Sequence, residues 1–495
     1  MHHDRIVSLD SIYGAEEGPS FMTGIQALVR LPMMQRRLDR RNGLNTAGLV
    51  TGYRGSPLGA YDQQLWKASK HLAAHDVVFQ PGLNEDLAAT ALWGTQMHKA
   101  FGKTRADGVF GIWYGKGNGV DRTGDVFRNA NVLGTSPLGG VLAIGGDDHA
   151  AQSSMFPHQT DGIFQSVMMP VIQPATVGEI LSLGLAGFAL SRFSGLWVAM
   201  KTIAEVVESA ASFELPDSYP RFVAPAEAVP AHGLNWDPRV AWPAQRTELE
   251  RRMIEERLPA VAAWARANGI DRPVLQGGGR RLCVVTVGKA HQDVMQALAN
   301  LGIDEHGARA IGLSVYKVAM SWPLDAASLL EFADGFEEIL VVEEKRPVVE
   351  EQVKVALFNR SGAGRASPAR PMSTAARCCR RRWIRPADGG TGDRRPAARH
   401  HRPRRAAGGD RGTDTHGRGR PLPGAQAVLL LGLPAQQLDE NAGGVDRRRR
   451  HRLPCHGGVA APAQDRDLQP DGRRRAPMGR RRTLLRDRAH LPESG

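Results

Sequence analysis

Four short segments combine glycines, which let a backbone approach a ligand closely, with side chains that donate, accept or carry charge. The first, Thr51-Gly52-Tyr53-Arg54-Gly55-Ser56-Pro57, offers donors from Thr51, Arg54 and Ser56 beside Gly52 and Gly55. A plain βα turn explains the same glycines. The second, Gln80-Pro81-Gly82-Leu83-Asn84-Glu85-Asp86, opens a helical pattern. Asn84 suits an N-cap, and Glu85 and Asp86 suit a first turn, where the helix dipole favours acids. Capping alone leaves an exposed carboxylate. The functional alternative places Glu85 in a partly desolvated crevice, where its carboxyl exchanges a proton with a cofactor nitrogen.

The third segment, Gly115-Lys116-Gly117-Asn118-Gly119-Val120-Asp121-Arg122, lacks the Gly-Lys-Ser/Thr ending of a phosphate-cradling loop and the spacing of a dinucleotide fingerprint. The fourth runs from Gly146 through Asp147, Asp148, His149 and Ser154 to His158. Carboxylates and imidazoles invite a metal, but nothing in their spacing specifies one, and a polar loop at a strand end is the expectation.

These segments need a scaffold, and the chain between Leu44 and Lys201 supplies it by repetition. A short apolar run, a glycine-rich or polar loop and a helically spaced stretch recur five times, as in parallel strands with helical crossovers. The runs are Gly48 to Val50, Val77 to Gln80, Gly108 to Trp113, Gly140 to Ile144 and Leu196 to Met200. Helical stretches fall near Tyr61 to Leu72, Asn84 to Phe101, Arg122 to Leu133 and Val177 to Ser191. This predicts a doubly wound parallel-sheet α/β domain over residues 1–214, with its ligands where strands end and helices begin. Six prolines between 215 and 245, then a helical stretch from Arg246 to Asn268, mark a connector over 215–280. A smaller α/β domain follows over 281–360. Its strands are expected at Leu282 to Val287, Leu313 to Val318 and Ile339 to Val342, and its helices near Ala290 to Leu301, Leu324 to Phe332 and Pro347 to Phe358.

Charge divides the 495 residues differently from pattern. Residues 361–495 hold 30 Arg, no Lys and 12 acids, whereas residues 1–360 hold 34 basic and 39 acidic groups, so the formal charge of +13 belongs to the tail. Val, Ile, Leu and Phe make up 15 of the tail's 135 residues, below the roughly 20% under which disorder is expected. Function is therefore sought in residues 1–360. The four cysteines, Cys283, Cys378, Cys379 and Cys455, form no metal or disulfide framework. No basic-then-apolar leader opens the chain, and the most apolar stretch, Ile180 to Met200, is broken by Ser191 and Arg192. A cytoplasmic protein with no membrane association is the expectation.

In order along the chain, Thr23 to Pro32, Gly52 to Trp66, Phe79 to Trp93, Val109 to Asn129, Gly145 to Gln159, Tyr316 to Pro323 and Ile339 to Gln352 resemble the long, fused form of indolepyruvate ferredoxin oxidoreductase. That family belongs to the thiamine-diphosphate-dependent 2-oxoacid:ferredoxin oxidoreductase superfamily. The resemblance implies a pyrimidine-binding-like first domain and a transketolase C-terminal-like second one. It places Glu85 on the cofactor-activating glutamate, whose carboxyl favours the imino tautomer that removes the thiazolium C2 proton. Thr51, Gly52, Gly55, Ser56 and Asn84 would line the cofactor crevice with it. Arg54 stands where many shorter relatives carry proline, and carboxylate binding there is an extension beyond the family pattern. The implied chemistry is oxidative decarboxylation of an aryl 2-oxo acid to an acyl-coenzyme A, with electrons passing through iron–sulfur clusters to ferredoxin. The intact enzyme would hold Mg2+ with the diphosphate and assemble as a homo-oligomer.

The family continues with a Cys-Ser-Gly-Cys-Pro-His-Asn segment, a diphosphate-binding domain with a Gly-Asp-Gly motif, and a γ-like domain. None is visible in residues 361–495. Read one nucleotide later, Val428 to Gln437 is codon-compatible with that cysteine segment, and Arg450 to Cys455, Asp467 to Arg475 and Thr483 to Gly495 fit later family segments in order. A frameshift between about residues 360 and 425 is the expectation, with this chain holding only the pyrimidine half-site and inactive alone. Two other classes compete: a non-catalytic subunit-association fragment, and a basic nucleic-acid binder through Arg447 to Arg450 and Arg473 to Arg482. No recognition fold accompanies those arginines, so non-specific polyanion binding is what they predict.

Overall fold

The computed structural model describes residues 8–363 apart from 103, 216–218 and 241–243. The tail, its shifted reading frame, Pro216 and Pro243 lie outside the described residues. Thirteen strands occur among them: β1 (Gly18–Thr23), β2 (Thr46–Gly52), β3 (Val77–Phe79), β4 (Gly108–Lys116), β5 (Val141–Asp147), β6 (Val171–Ile172), β7 (Val198–Ile203), β8 (Ala210–Leu215), β9 (Arg272–Leu275), β10 (Leu282–Val287), β11 (Leu313–Val318), β12 (Met320–Trp322) and β13 (Glu338–Val342). All five apolar runs of the first region are strands. They lie side by side and parallel in a seven-stranded sheet of order β12-β6-β7-β5-β4-β2-β3.

The alternation along β4 shows why this sheet has helices on both faces. Phe110, Ile112 and Tyr114 join one apolar cluster with the helices Gly24–Arg41 and Val177–Ser194, while Trp113 joins a second with Leu92, Phe127 and Phe164. Strands buried on both sides read as continuous apolar runs. Gly111 faces the second cluster, where an added methyl would stand 2.3 Å from Cδ1 of Leu92, so the helix Glu85–Gln96 settles directly on the strand.

β1 and β8 form a separate antiparallel ribbon. The helical stretch after the proline-rich segment includes a π-helical turn, Met253–Arg257. From it the buried Arg257 donates to the carbonyls of Asn131, Val132 and Leu133, ending the helix Gly124–Leu133. The second sheet has order β13-β10-β11-β9, parallel except for β9, which lies within the region the sequence reads as connector.

β12 does not stay with the second sheet. Two residues beyond the end of β11, Met320 begins an edge strand that pairs antiparallel with β6 of the first sheet. Oδ1 of buried Asp271 accepts from the amides of Ala319 and Met320, at 2.7 and 3.0 Å, and so fixes the crossing. Lys317 and Glu179 add an ion pair between the two sheets. Among the described residues no helix is long and apolar enough to cross a membrane.

Candidate active site

The four glycine-bearing segments follow β2, β3, β4 and β5, and the strand order brings their ends to one edge of the sheet. Gly52 admits the close approach of two strands: the amide of Tyr53 donates to the carbonyl of Tyr114, and a methyl on Gly52 would lie 2.2 Å from that oxygen. The amide of Gly82 in turn donates to the Gly52 carbonyl at 2.8 Å. Thr51 is buried beneath this junction.

The structure divides the roles that sequence leaves joined in Asn84-Glu85-Asp86. Asn84 caps the helix by accepting from the Leu87 amide at 2.8 Å, and Asp86 faces outward to Arg122 at 2.9 Å. Glu85, between them, turns inward and is 8% exposed. Its main-chain carbonyl accepts from the indole of buried Trp113 at 3.0 Å. Its side chain lies across Gly119, where a methyl would stand 2.6 Å from Cγ and 2.8 Å from Oε1. No described residue donates a hydrogen bond to the Glu85 carboxylate. Two of the four loops thus meet at one inward-facing acid, to which the Arg122 charge lies close enough to be felt.

The other two loops close the same edge. The hydroxyl of Ser56 lies 3.1 Å from Oδ2 of Asp148 and 3.0 Å from Oε1 of Gln152, and its amide donates to Ser153. Lys116 Nζ donates to the Ser153 carbonyl, and the aliphatic part of Lys116 fills the space over Gly55. Ser154 bonds Asn118 at 2.9 Å, and His158 packs against Gly117 so closely that a methyl there would stand 2.2 Å from its Cβ. Arg54 is exposed and makes no ion pair among the described residues. Asp148 accepts from the amides of Ala150 and Gln152 and so shapes its own loop. Among the described residues no group of three or more His, Cys, Asp or Glu side chains is placed to hold a metal ion.

A second polar cluster, not foreseen from sequence, lies at the ends of β5 and β7. The ammonium of fully buried Lys201 is 2.8 Å from Asp161, 3.5 Å from Glu344 and 3.7 Å from Asp147. Burial lowers the Lys201 pKa, but the three carboxylates outweigh it and hold the group charged. Burial pushes Asp147 up to about 6 despite Lys201, and raises Glu344 as well. His149 is driven down to about 3 by burial and by the cations Lys201 and Lys345, so its ring is neutral. The available signal was a lysine inside an otherwise apolar strand, and an acidic pair, Glu343-Glu344, directly after β13.

With this geometry in place, comparison with known proteins gives a consistent answer. The model of the indolepyruvate oxidoreductase domain matches residues 272–373. The chain is 24% identical over 350 residues to the indolepyruvate oxidoreductase subunit IorA of Methanothermobacter thermautotrophicus, covering 70% of this chain and 50% of that protein. It is 25% identical over 244 residues to the IorA subunit of Pyrococcus abyssi, covering 49% and 36%. Among solved structures it resembles a 2-oxoglutarate:ferredoxin oxidoreductase from Magnetococcus marinus with 2-oxoglutarate, coenzyme A and succinyl-CoA bound. The TM-score there is 0.50 at 14% identity, over 69% of this chain and 60% of that one. The chain spans about half the length of the curated IorA relatives from Methanothermobacter.

Proposed function

We propose that this chain, indolepyruvate-oxidoreductase-like in sequence and 2-oxoacid:ferredoxin-oxidoreductase-like in fold, carries the pyrimidine half of a thiamine diphosphate site. The whole enzyme would oxidatively decarboxylate an aryl 2-oxo acid to its acyl-coenzyme A and pass electrons to ferredoxin. One observation carries this reading: Glu85, nearly buried where the strands end, has a carboxylate that accepts no hydrogen bond among the described residues. A nearly buried carboxylate that accepts no hydrogen bond from its own surroundings is open to a ligand's donor. A protonated ring nitrogen of an aminopyrimidine supplies the missing donor.

When bound, thiamine diphosphate would supply the electron-accepting chemistry that lets a 2-oxo acid lose carbon dioxide. The chain's own part is positional. The Glu85 carboxyl would meet the ring nitrogen, Gly119 leaves room for that carboxyl, and Trp113 pins its main chain. Thr51, Gly52, Gly55 and Ser56 would line the cofactor site from the loop after β2, Asn84 sets the helix start, and the exposed Arg54 would meet a substrate carboxylate. The described residues do not fit an iron–sulfur cluster. Cys283, the cysteine among them, is buried in the second sheet, where burial pushes its thiol up to about 12. Mg2+, the diphosphate and the clusters are therefore assigned to parts beyond the described residues, and the chain alone is expected to show no turnover.

Titration with thiamine diphosphate, followed by the indole N–H resonance of Trp113 and assigned by loss in Trp113→Phe, tests the reading. Saturable movement is expected for the wild type and for Asp86→Asn. Glu85→Gln should weaken binding about tenfold, as expected for losing a charge-assisted hydrogen bond. No movement at millimolar ligand, or equal affinity in wild type and E85Q, would refute the assignment.

A further inference from the structure

The crevice loop that follows β5 is held from behind by a segment of the second sheet. Directly after β13, Glu343-Glu344-Lys345-Arg346 makes contacts in four directions. Glu343 accepts from the amides of Val348, Val349 and Glu350, so the segment is anchored to the helix that follows. Glu344 reaches Lys201 on β7 and accepts from the Lys289 amide at 2.9 Å, which ties it to both sheets. Lys345 Nζ donates to the carbonyls of Pro157 and His158, at 3.1 and 3.5 Å. Gln159 and Arg346 pair reciprocally, with the Gln159 amide donating to the Arg346 carbonyl at 3.2 Å and Oε1 accepting from the Arg346 amide at 2.9 Å.

The other flank of the same loop is tied to the crevice. Ser153 and Ser154 are held by Ser56, Lys116 and Asn118, and Asn118 adjoins the glycine that bears on Glu85. Between the two tethered flanks, Met155 and Phe156 stand exposed. The loop thus has two sets of moorings, one at the crevice and one on the second sheet.

We infer that the Glu343–Arg346 segment is a clasp through which the second sheet positions the crevice loop 148–159, with Gln159 and Lys345 as its positioning residues. Neither touches the crevice acid. Their effect is to hold the carbonyls and the amide of residues 157–159 in place, which sets where Ser153 and Ser154 meet Ser56 and Asn118. Arg346 contributes through its backbone, whose amide and carbonyl both pair with Gln159, and through its side chain, whose Nε also donates to Gln159 Oε1 at 3.2 Å.

Amide hydrogen exchange of the full chain without ligand tests this, so its outcome is separable from the thiamine assignment. The reporters are the hydrogen-bonded amides of Ala151, Gln152 and Thr160. Gln159→Leu and Lys345→Met should each raise their exchange by about tenfold, the loss of one or two net hydrogen bonds, while amides of β4 and β5 stay within about twofold. Lys345→Arg should restore protection, and Arg346→Ala, which removes the Nε donor but keeps both backbone bonds, should raise exchange by less than Gln159→Leu does. Should Gln159→Leu fail to fold, Lys345→Met reads the same clasp from the other side. Unchanged loop exchange in the folded variants, or an equal rise in β4 and β5, would overturn the inference.

Discussion

Glu85 and Asp86 are neighbours in sequence and meet opposite surroundings, because successive helix residues point about 100° apart. Which of the two faces the sheet depends on how the helix docks. Leu92 over Gly111 and the Trp113 indole on the Glu85 carbonyl decide it. The sequence singles out Glu85 through the family resemblance and not through its local pattern, since the deciding contacts come from a strand more than twenty residues away. Glu85→Gln removes no hydrogen bond made among the described residues and should change stability by less than about 1 kcal/mol in urea unfolding, as should Asp86→Asn, whose ion pair with Arg122 is exposed. Asp271 gives a pH signature. Burial, opposed by its two amide bonds, pushes its carboxyl up to about 7, from an ordinary value of 3.8. Its stabilising contribution is complete below that ordinary value and is lost as pH rises through about 7. Asp271→Asn, which does not titrate, should gain on the wild type by on the order of 3 kcal/mol between pH 4 and 8, measured as the difference between their unfolding curves.

At the scale of elements, the five parallel strands were legible because both their faces are buried, and burial on two faces writes itself as an unbroken apolar run. β6 and β12, with two and three residues, are too short to show any period. The helix Gly24–Arg41 was hidden for another reason. Pro32 interrupts its pattern, and its buried face includes Arg30, Arg36 and Arg37, whose guanidinium groups bond backbone carbonyls and Asp76. The two glycines that shape the crevice answer to different neighbours, and substitutions should separate them. Gly52→Ala meets a backbone oxygen that cannot move away, and a loss of about 3 kcal/mol or more is expected. Gly119→Ala meets the end of a flexible side chain, so melting should shift by less than about 1 kcal/mol while thiamine diphosphate affinity falls as in E85Q.

At the scale of the whole molecule, one cluster of buried charges lies where the two sheets meet. Lys201 comes from β7, and its partners come from the end of β5, from the helix Asp161–Ser166 and from the segment after β13. Removing the cation leaves three carboxylates without it. Lys201→Met should therefore cost about 3 to 5 kcal/mol at neutral pH, and less in acid, where Asp147 and Glu344 accept protons first. Chemical unfolding at pH 5 and pH 8 checks both the size and the sign.

β12 carries a practical corollary for anyone dividing this polypeptide. A cut made between the sheets would strip the seven-stranded one of its outermost ribbon and bare the hydrogen-bonding rim of β6. Such rims recruit strands from other molecules. A shortened version ending near residue 280 should therefore clump or swap segments between copies, and workable fragments must keep everything through the helix Val349–Ala363 together, since β13 covers the rim of β10.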